Sequence, residues 1–237
     1  MTRRRWLADE VSGNRAFLLG PHAEHLARVL RARVGQEFEI ATPEGVHSGR
    51  IIAIHPDRVE FQLGDRIETT KPLRLTAAIS IIRFDRMEWA IEKCIELGIV
   101  RIVPVIARRT DSHLARAAAK RVERWRRIAR ESSEQSRRGS PPEICEPMKL
   151  TDIVSIPAGT RIVLDESEHG MLLKEALQGG AGSGDLLLAF GPEGGWTPDE
   201  AQLFRKSGWI AASLGRTILR AETAAIAAVS IAVSELQ

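Results

Sequence analysis

Two arginines and a glutamate near the C-terminus stand where charged groups are costly. Arg216 and Arg220 lie between an apolar run, 209–214, and an alanine-rich run, 221–236, and Glu222 is the second residue of the alanine-rich run. Charged side chains in such surroundings destabilise a fold unless they have partners or a function. A guanidinium stays protonated, so it can donate hydrogen bonds to a developing anion, whereas a carboxylate can accept a proton. These three residues are therefore candidates for a functional site.

A glycine-rich turn precedes these charges and would let a ligand approach closely. The segment 191–195, GPEGG, follows the apolar run 186–190 and cannot continue a strand or a helix. Its three glycines allow positive φ and leave room for a bound molecule. Thr197 then predicts a helix N-cap, with Pro198 at the first helical position and Glu200 completing a capping box. The predicted order is strand, glycine turn and capped helix.

The elements around both turns predict an α/β sheet with a ligand site at its edge. The runs 186–190 and 209–214 are expected to be neighbouring strands, and the second leads through 215–220 into a helix over 221–236. Such sheets bind ligands at the carboxyl ends of their strands. Neither turn ends in Gly-Lys-Ser/Thr, and no G-x-G-x-x-G fingerprint follows a strand, so nucleotide triphosphates and dinucleotides are not favoured. The run 179–184, GGAGSG, predicts a flexible surface loop.

The two turns resemble motifs of a known enzyme family. The segments 191–200, GPEGGWTPDE, and 214–225, LGRTILRAETAA, are similar to the C-terminal motifs of the RsmE family, a branch of the SPOUT methyltransferase superfamily. That family methylates N3 of one uridine in 16S ribosomal RNA, with S-adenosylmethionine as the methyl donor. Further positions that resemble the family are 25–36, 86–99, Glu134, Gln135 and Arg138.

The resemblance implies two domains within an α/β protein. Residues 1–72 are expected to form a small PUA-like β-barrel domain that helps to hold RNA, and short runs separated by turns within 36–63 agree with a barrel. Residues 73–237 are expected to form the SPOUT methyltransferase domain, a parallel sheet whose C-terminal segment makes a trefoil knot. The strand–helix–strand pattern of 73–106, with Asp85 as the expected N-cap, predicts a parallel sheet by itself.

The resemblance also implies a cofactor and roles for the site residues. S-Adenosylmethionine is expected to lie against the two turns, largely on backbone groups. Methylation at N3 requires loss of the N3 proton and stabilisation of charge on O2 and O4, so Arg220 is the expected catalytic stabiliser. Glu222, the second expected catalytic residue, either accepts the proton or orients Arg220. The expected cofactor-binding residues are Phe190, Gly191, Pro192, Glu193, Gly194, Gly195, Trp196, Leu214, Gly215, Ile218, Leu219, Arg220, Glu222 and Thr223.

A basic block predicts an RNA-binding face. Positions 101–140 hold 12 basic and 4 acidic residues, although the net charge of the whole chain is only +3. Leu114, Val122 and Trp125 mark one buried helix face, and arginines with few acidic partners occupy the others. This pattern favours phosphate contact, the alternative being a solvated helix face. The expected RNA-binding residues are Arg28, Arg31, Arg109, Arg121, Arg124, Arg127 and Arg138.

Two other functions remain open at the level of sequence. One is a SPOUT enzyme that methylates a ribose 2′-hydroxyl, although the Asn-rich motifs usual in such enzymes are absent from this chain. The other is a non-catalytic RNA-binding protein of ribosome assembly that keeps the fold. The two intact glycine-rich turns argue against the second alternative.

The remaining patterns predict partners and location. The run 224–233 is apolar on most of its helical surface, which favours a second subunit, and the resembled family forms homodimers. No apolar run approaches the roughly 20 residues that span a bilayer, so no membrane is expected. Cys94 and Cys145 match no metal-ligand spacing, so no metal is expected and both thiols should be reduced. We therefore expect a cytoplasmic homodimer that acts on 16S ribosomal RNA or the small ribosomal subunit.

Overall fold

The strands of the protein form two separate sheets, one of six strands and one of seven. The structure is a computed structural model that describes residues 5–69, 73–179 and 184–236. The surface loop predicted at 179–184 falls largely on 180–183, which lie outside the described residues.

The chain divides into two compact units whose boundaries differ in part from the expected division at residue 72. The first unit contains Met1–Lys71 and Arg130–Pro141, and the second contains Pro72–Ala129 and Pro142–Gln237. The segment 130–141 thus packs with the N-terminal unit, although the expected boundary placed it in the methyltransferase domain.

Ion pairs and hydrogen bonds explain why the segment 130–141 joins the first unit. Nη2 of Arg130 lies 3.0 Å from Oδ1 of Asp9 and donates to the carbonyl of Leu7 at 2.6 Å. Arg137 forms an ion pair with Glu39. Each pair joins positions far apart in the sequence, so no local sequence pattern indicates this packing.

The first unit is a curled sheet in which one strand pairing is parallel and the others are antiparallel. Leu18, Ile51 and Phe61 are fully buried in its core. The elements are β1 (Arg5–Leu7), β2 (Glu10–Ser12), β3 (Arg15–Leu19), α1 (Gly20–Glu24), a π-helical turn (His25–Val29), β4 (Glu37–Thr42), β5 (Gly45–Ile54) and β6 (Arg58–Ile67). Their order, β1-β4-β5-β6-β3-β2, makes a half-barrel. The small barrel-like N-terminal fold is therefore confirmed.

The second unit is a parallel sheet with an apolar core on each face. Ile79 contributes to one core and its neighbour Ala78 to the other, because successive side chains on a strand point to opposite faces. The elements are β7 (Leu75–Ser80), α2 (Phe84–Glu96), β8 (Arg101–Ile106), α3 (Ser112–Ala117), a 3₁₀ turn (Ala118–Arg121), α4 (Val122–Gln135), β9 (Glu143–Ile144), β10 (Met148–Lys149), α5 (Leu150–Ile153), β11 (Thr160–Leu164), α6 (Leu173–Gly179), β12 (Leu186–Phe190), α7 (Pro198–Lys206), β13 (Ile210–Ala212) and α8 (Ala221–Leu236). The last part of α4, from Arg130 onwards, belongs to the first unit.

The strand order of this sheet confirms the α/β class and corrects one expectation. The order is β10-β8-β7-β12-β11-β13, with β9 beside β8. The two strands that precede the glycine-rich turns, β12 and β13, are not neighbours, because β11 lies between them. Leu164 at the end of β11 pairs with Phe190 on one side and with Ala212 on the other. Three strands therefore end at the same place, where the sequence suggested two.

Helix starts were predicted correctly in one case and wrongly in another. At α7, Thr197 accepts from the backbone N–H of Glu200, and the Glu200 side chain accepts from the backbone N–H of Thr197, so the capping box is confirmed. At α2, the N-cap residue is Arg83 and no side chain caps the helix, so the expected cap at Asp85 is wrong. Asp85 lies inside the first turn, where its charge still favours the helix N-terminus.

Several other expectations can be compared with the described residues. The buried stripe of the basic block is confirmed, since Val122 and Trp125 are almost fully buried. Cys94 and Cys145 are buried thiols without a disulfide, and burial raises the pKa of Cys94 to about 12. No helix within the described ranges has the length and apolar character needed to cross a membrane. The trefoil knot implied by the resemblance remains a prediction.

Candidate functional site

A cavity of about 550 Å³ opens at the carboxyl ends of β11, β12 and β13. Its volume falls within the roughly 300–1,000 Å³ typical of sites for small molecules and cofactors. The last residue of each strand, Leu164, Phe190 and Ala212, forms part of its wall. Three loops that leave these strands supply most of the remaining wall, so the cavity lies where α/β sheets place their ligands.

The first glycine-rich turn follows β12 and is held against the end of β11. The indole N–H of Trp196 donates to the carbonyl of Leu164 at 3.0 Å, and this hydrogen bond is buried. Gly195 has a φ of +69°, and a Cβ added there would lie 2.8 Å from Oε1 of Glu166. A side chain at Gly195 would therefore adopt a strained backbone conformation and would displace the exposed Glu166 carboxylate from the cavity wall. Glycine at this position keeps the backbone of the turn open to the cavity.

Arg109, an expected RNA-binding residue, contacts this first turn. Its guanidinium donates to the carbonyl of Gly194. A Cβ added at Gly194 would lie 3.3 Å from Cδ of Arg109, so the arginine packs closely on the turn. The role expected for Arg109 in RNA binding remains a prediction, but its observed contact is structural.

The second glycine-rich turn follows β13 and leads into α8. Gly215 has a φ of +113°, in the region that favours glycine. The backbone N–H of Ala224 donates to the carbonyl of Arg220 at 2.8 Å, so the backbone of Arg220 is fixed by the first turn of α8. The side chains of Arg216 and Arg220 are exposed and line the cavity. Two permanent positive charges therefore face the cavity from this turn.

Glu222 lies behind the wall of the cavity and pairs with a residue that the sequence did not single out. Glu222 is 5% exposed and is not among the lining residues. Its Oε1 lies 3.7 Å from Nε of Arg86, in the first turn of α2. Nη1 of the same Arg86 lies 2.6 Å from Oε1 of Glu193, in the first glycine-rich turn. Among the described residues, Glu222 has no ion pair with Arg220.

Most of the expected cofactor-binding residues converge on this one cavity. Gly194, Glu222 and Thr223 are expected residues that do not line it. The assignment of all of them to a cofactor remains a prediction. The expected residues that line the cavity are Phe190, Gly191, Pro192, Glu193, Gly195, Trp196, Leu214, Gly215, Ile218, Leu219 and Arg220.

The loop after β11 forms a wall that sequence reasoning missed. Asp165, Glu166 and His169 lie on this loop and line the cavity. The sequence showed a polar turn here, but nothing local indicated that β11 lies between β12 and β13. A strand followed by two acidic residues was the only available signal. Other lining residues outside the expected set are Arg86, Leu164, Ala212, Ser213, Arg216, Thr217, Ala221 and Ala224.

The expected RNA-binding arginines of the second unit have different surroundings. Arg124 makes a two-point contact with Glu88 of α2, at 2.6 and 2.8 Å. Arg121 lies over the ring of Phe84, 4.7 Å from its centroid. Arg127 is exposed and forms no ion pair within the described ranges. The local sequence suggested few acidic partners for these arginines, but Glu88 comes from another helix.

The expected RNA-binding arginines of the first unit also differ from one another. Arg28 is exposed and pairs with Glu24 at 2.7 Å. Arg31 has a φ of +51°, which marks a sharp turn of the chain after the π-helical turn. Arg138 is largely buried, and burial lowers its pKa to about 10, still far above neutral pH. Arg28 and Arg31 are thus more exposed than Arg138, and the expected role of all three in RNA binding remains a prediction.

The residues of the cavity suit S-adenosylmethionine, the cofactor implied by the resemblance. That molecule carries a sulfonium, an ammonium and a carboxylate, and the wall offers both acidic side chains, such as Glu166 and Glu193, and basic ones, such as Arg216. The glycines at 191 and 195 leave backbone accessible for close contact. No cluster of His, Cys, Asp or Glu in the described part of the chain could hold a metal ion.

A glycine substitution tests the first turn as a binding surface. We expect Gly195→Ala to weaken S-adenosylmethionine binding, because the added methyl group occupies space at the cavity wall and displaces the Glu166 carboxylate. Gly208→Ala is the matched control: its φ of +74° is similar, but Gly208 does not line the cavity. Both variants should lose about 1–2 kcal/mol of stability through backbone strain. Calorimetry that gave equal cofactor affinities for the two folded variants would exclude this turn from the site.

Comparisons with known proteins agree with this architecture. A family model described as an RNA methyltransferase domain matches residues 69–233. The Ribosomal RNA small subunit methyltransferase E of Aquifex aeolicus is 29% identical over 94% of this chain and 96% of its own length. The protein of the same name from Bacillus subtilis is 27% identical over 90% of this chain and 87% of its own length.

A solved structure extends the agreement to the fold. The Ribosomal RNA small subunit methyltransferase E of Neisseria gonorrhoeae, bound to S-adenosyl methionine, superposes with a TM-score of 0.83. It is 29% identical in sequence, and the match covers 96% of this chain and 95% of that one. The motifs, the fold and the family match thus lead to the same conclusion: this chain belongs to the RNA methyltransferase family, in its RsmE branch.

Proposed function

We propose that the protein methylates N3 of a uridine in 16S ribosomal RNA of the small subunit, with S-adenosylmethionine as the methyl donor. The single observation that carries this proposal is the exposed guanidinium of Arg220 at the wall of a glycine-lined cavity, in a chain of the RNA methyltransferase family. The relatives named as ribosomal RNA small subunit methyltransferases support the choice of substrate.

The cofactor is proposed to occupy the cavity formed by the three strand ends. When bound, it supplies an electrophilic methyl group on a sulfonium sulfur. The backbone of the turns at 191–195 and 214–220 holds it, and Trp196 keeps the first turn fixed to β11. The loop after β11 adds Glu166 to this set. The glycines at 191, 195 and 215 keep the backbone groups of the turns accessible to the cofactor.

The demanding part of the reaction lies at the acceptor nitrogen. Uracil N3 carries a proton, and its lone pair becomes available in the plane of the ring only when that proton leaves. The negative charge that develops then spreads to O2 and O4. Arg220 is proposed to donate hydrogen bonds to these oxygens, because a guanidinium is permanently charged and presents several N–H groups in a fixed fork.

The position of Glu222 bears on the two roles that the sequence left open. A general base must come within hydrogen-bond distance of the proton that it removes. Glu222 is 5% exposed and stands behind the cavity wall. This position favours a supporting role over direct proton acceptance, although its observed partner is Arg86 and not Arg220.

RNA is proposed to contact both units of the protein. In the first unit, the PUA-like half-barrel presents Arg28 and Arg31 as exposed cations. In the second unit, Arg124 and Arg127 are exposed and Arg121 is half-buried. Arg127 is the most available of the three, because Arg124 pairs with Glu88. Contacts with phosphates would position the RNA, and the cavity would select the base.

The protein is also proposed to work as a homodimer in the cytoplasm, where ribosomal RNA is made into subunits. In α8, Ile226, Ile231 and Val233 are only partly buried within one chain. An aliphatic surface of this kind is stabilised when a second subunit covers it.

Mass mapping of methylated uridines tests the proposed reaction. Ribosomal RNA from cells that lack the protein should lose one N3-methyluridine, and the wild-type gene should restore it. We expect Arg220→Ala to lower the methylation rate at saturating substrates by about 10²–10³-fold, as loss of an oxyanion donor does. Arg205→Ala, on the exposed side of α7, is the control and should restore the modification. An unchanged modification pattern without the protein would refute the proposal.

A salt titration of RNA binding tests the basic face. Replacement of Arg121, Arg124 and Arg127 by Gln removes charge but keeps good helix formers, so α4 should stay folded. RNA affinity should fall, and the slope of log affinity against log salt should become shallower by up to about two units. Arg126→Gln is the control, because Arg126 pairs with Glu123 and Glu146 and is not among the expected contacts. A wild-type slope in the triple variant would identify this face as merely solvated.

Light scattering tests the assembly. We expect a mass near twice 26.2 kDa at micromolar concentration. Ile231→Glu should shift the mass to that of one chain, because a carboxylate is costly in an apolar interface. A single-chain mass for the wild-type protein would contradict the homodimer.

A further inference from the structure

One guanidinium connects the two glycine-rich turns. Arg86 lies in the first turn of α2 and its side chain lines the cavity. On one side it forms a close ion pair with Glu193 of the first turn, with 2.6 Å between Nη1 and Oε1. On the other side, its Nε lies 3.7 Å from Glu222 at the start of α8. The three residues come from three separate segments of the chain.

Glu222 depends on this cation because it is buried. Burial of a carboxylate away from water destabilises the fold unless an opposite charge or hydrogen bonds compensate. The side chain of Glu222 is 6% exposed, and its Oε2 has no hydrogen-bond partner among the described residues. Within the described part of the chain, Glu222 forms an ion pair with Arg86 and with no other cation. Removal of Arg86 would leave a buried, uncompensated charge beside the turn that carries Arg220.

Arginine suits this position better than lysine would. Its planar group offers several N–H donors at fixed angles, so it can address two carboxylates at once. Without it, Glu193 and Glu222 would lack the cation that draws both toward α2. The backbone of Arg220 is itself fixed by the first turn of α8, two residues before Glu222. A shift of Glu222 would therefore move Arg220 relative to the first turn.

We propose that Arg86 is a positioning residue: it ties the first turn to the start of α8 through Glu193 and Glu222, and so sets the place of the Arg220 guanidinium at the cavity. Glu222 accordingly acts as the partner of Arg86 and not as the acceptor of the N3 proton. This inference rests on the proposed methylation of uridine N3.

A double-mutant cycle on the methylation rate tests the inference. The variants are Arg86→Gln, Glu222→Gln and the combination of both, each assayed at saturating S-adenosylmethionine and RNA. Each single variant should lower kcat by about 10- to 100-fold, because small displacements of a catalytic group have effects of that size. The kcat of the double variant should lie within about threefold of the lower of the two single-variant kcat values. This is expected because the effects of residues that act through one contact are not additive.

Two further variants separate positioning from general loss of structure. Arg86→Lys keeps one positive charge and should recover part of the kcat lost in Arg86→Gln. Arg83→Gln is the matched control: Arg83 precedes the same helix, is exposed and does not line the cavity, so its kcat should equal that of the wild type. RNA affinity should be unchanged in all variants, because the change is confined to the cavity.

The possible outcomes distinguish this inference from the proposed function. If the wild-type protein does not methylate uridine N3, the proposed function fails, and the inference falls with it. If the wild type is active but Arg86→Gln keeps its kcat, the inference alone is overturned. Multiplicative losses in the double variant would also overturn it, because they would show that Arg86 and Glu222 act separately. A drop in kcat for Arg86→Gln that Lys partly restores, with a non-additive double variant, supports it.

Discussion

Parallel pairing at one edge of the second sheet is the constraint on which the candidate site depends. Leu164 stands in register with Phe190 on one side and Ala212 on the other, so β11, β12 and β13 end together. Each of these strands continues into a loop, and the loops must meet because the strand ends meet. The cavity is therefore a consequence of sheet register. The apolar cores on both faces keep the three strands in that register.

Fixed contacts at the loops convert this geometry into a defined surface. The Trp196 indole holds the first turn to the end of β11, and the capping box of Thr197 fixes the helix that follows. At the cavity wall, Arg86 stands between Glu193, which also lines the cavity, and the buried Glu222. An exposed guanidinium such as that of Arg220 can be placed accurately only if its backbone is held this way, because a mobile group gives little preorganised stabilisation.

The sequence predicted the local parts of this arrangement well and the distant parts poorly. The glycine turns, the capping box at Thr197 and the buried stripe with Trp125 follow from neighbours within one element. The place of β11 does not, because strand order depends on contacts across the whole sheet. For the same reason the pair of Arg124 with Glu88 was not foreseen, nor that of Arg86 with Glu222. The RsmE resemblance supplied the fold class and cofactor that residue patterns alone left open.

The membership of 130–141 in the first unit has a consequence for synthesis of the chain. Ribosomes release residues from the N-terminus onward, so Asp9 and Glu39 emerge long before Arg130 and Arg137, which pair with them. The half-barrel of β1–β6 therefore lacks its last segment, 130–141, while β7, α2 and β8 are synthesised. Its completion as a unit is therefore coupled to translation of more than half the chain.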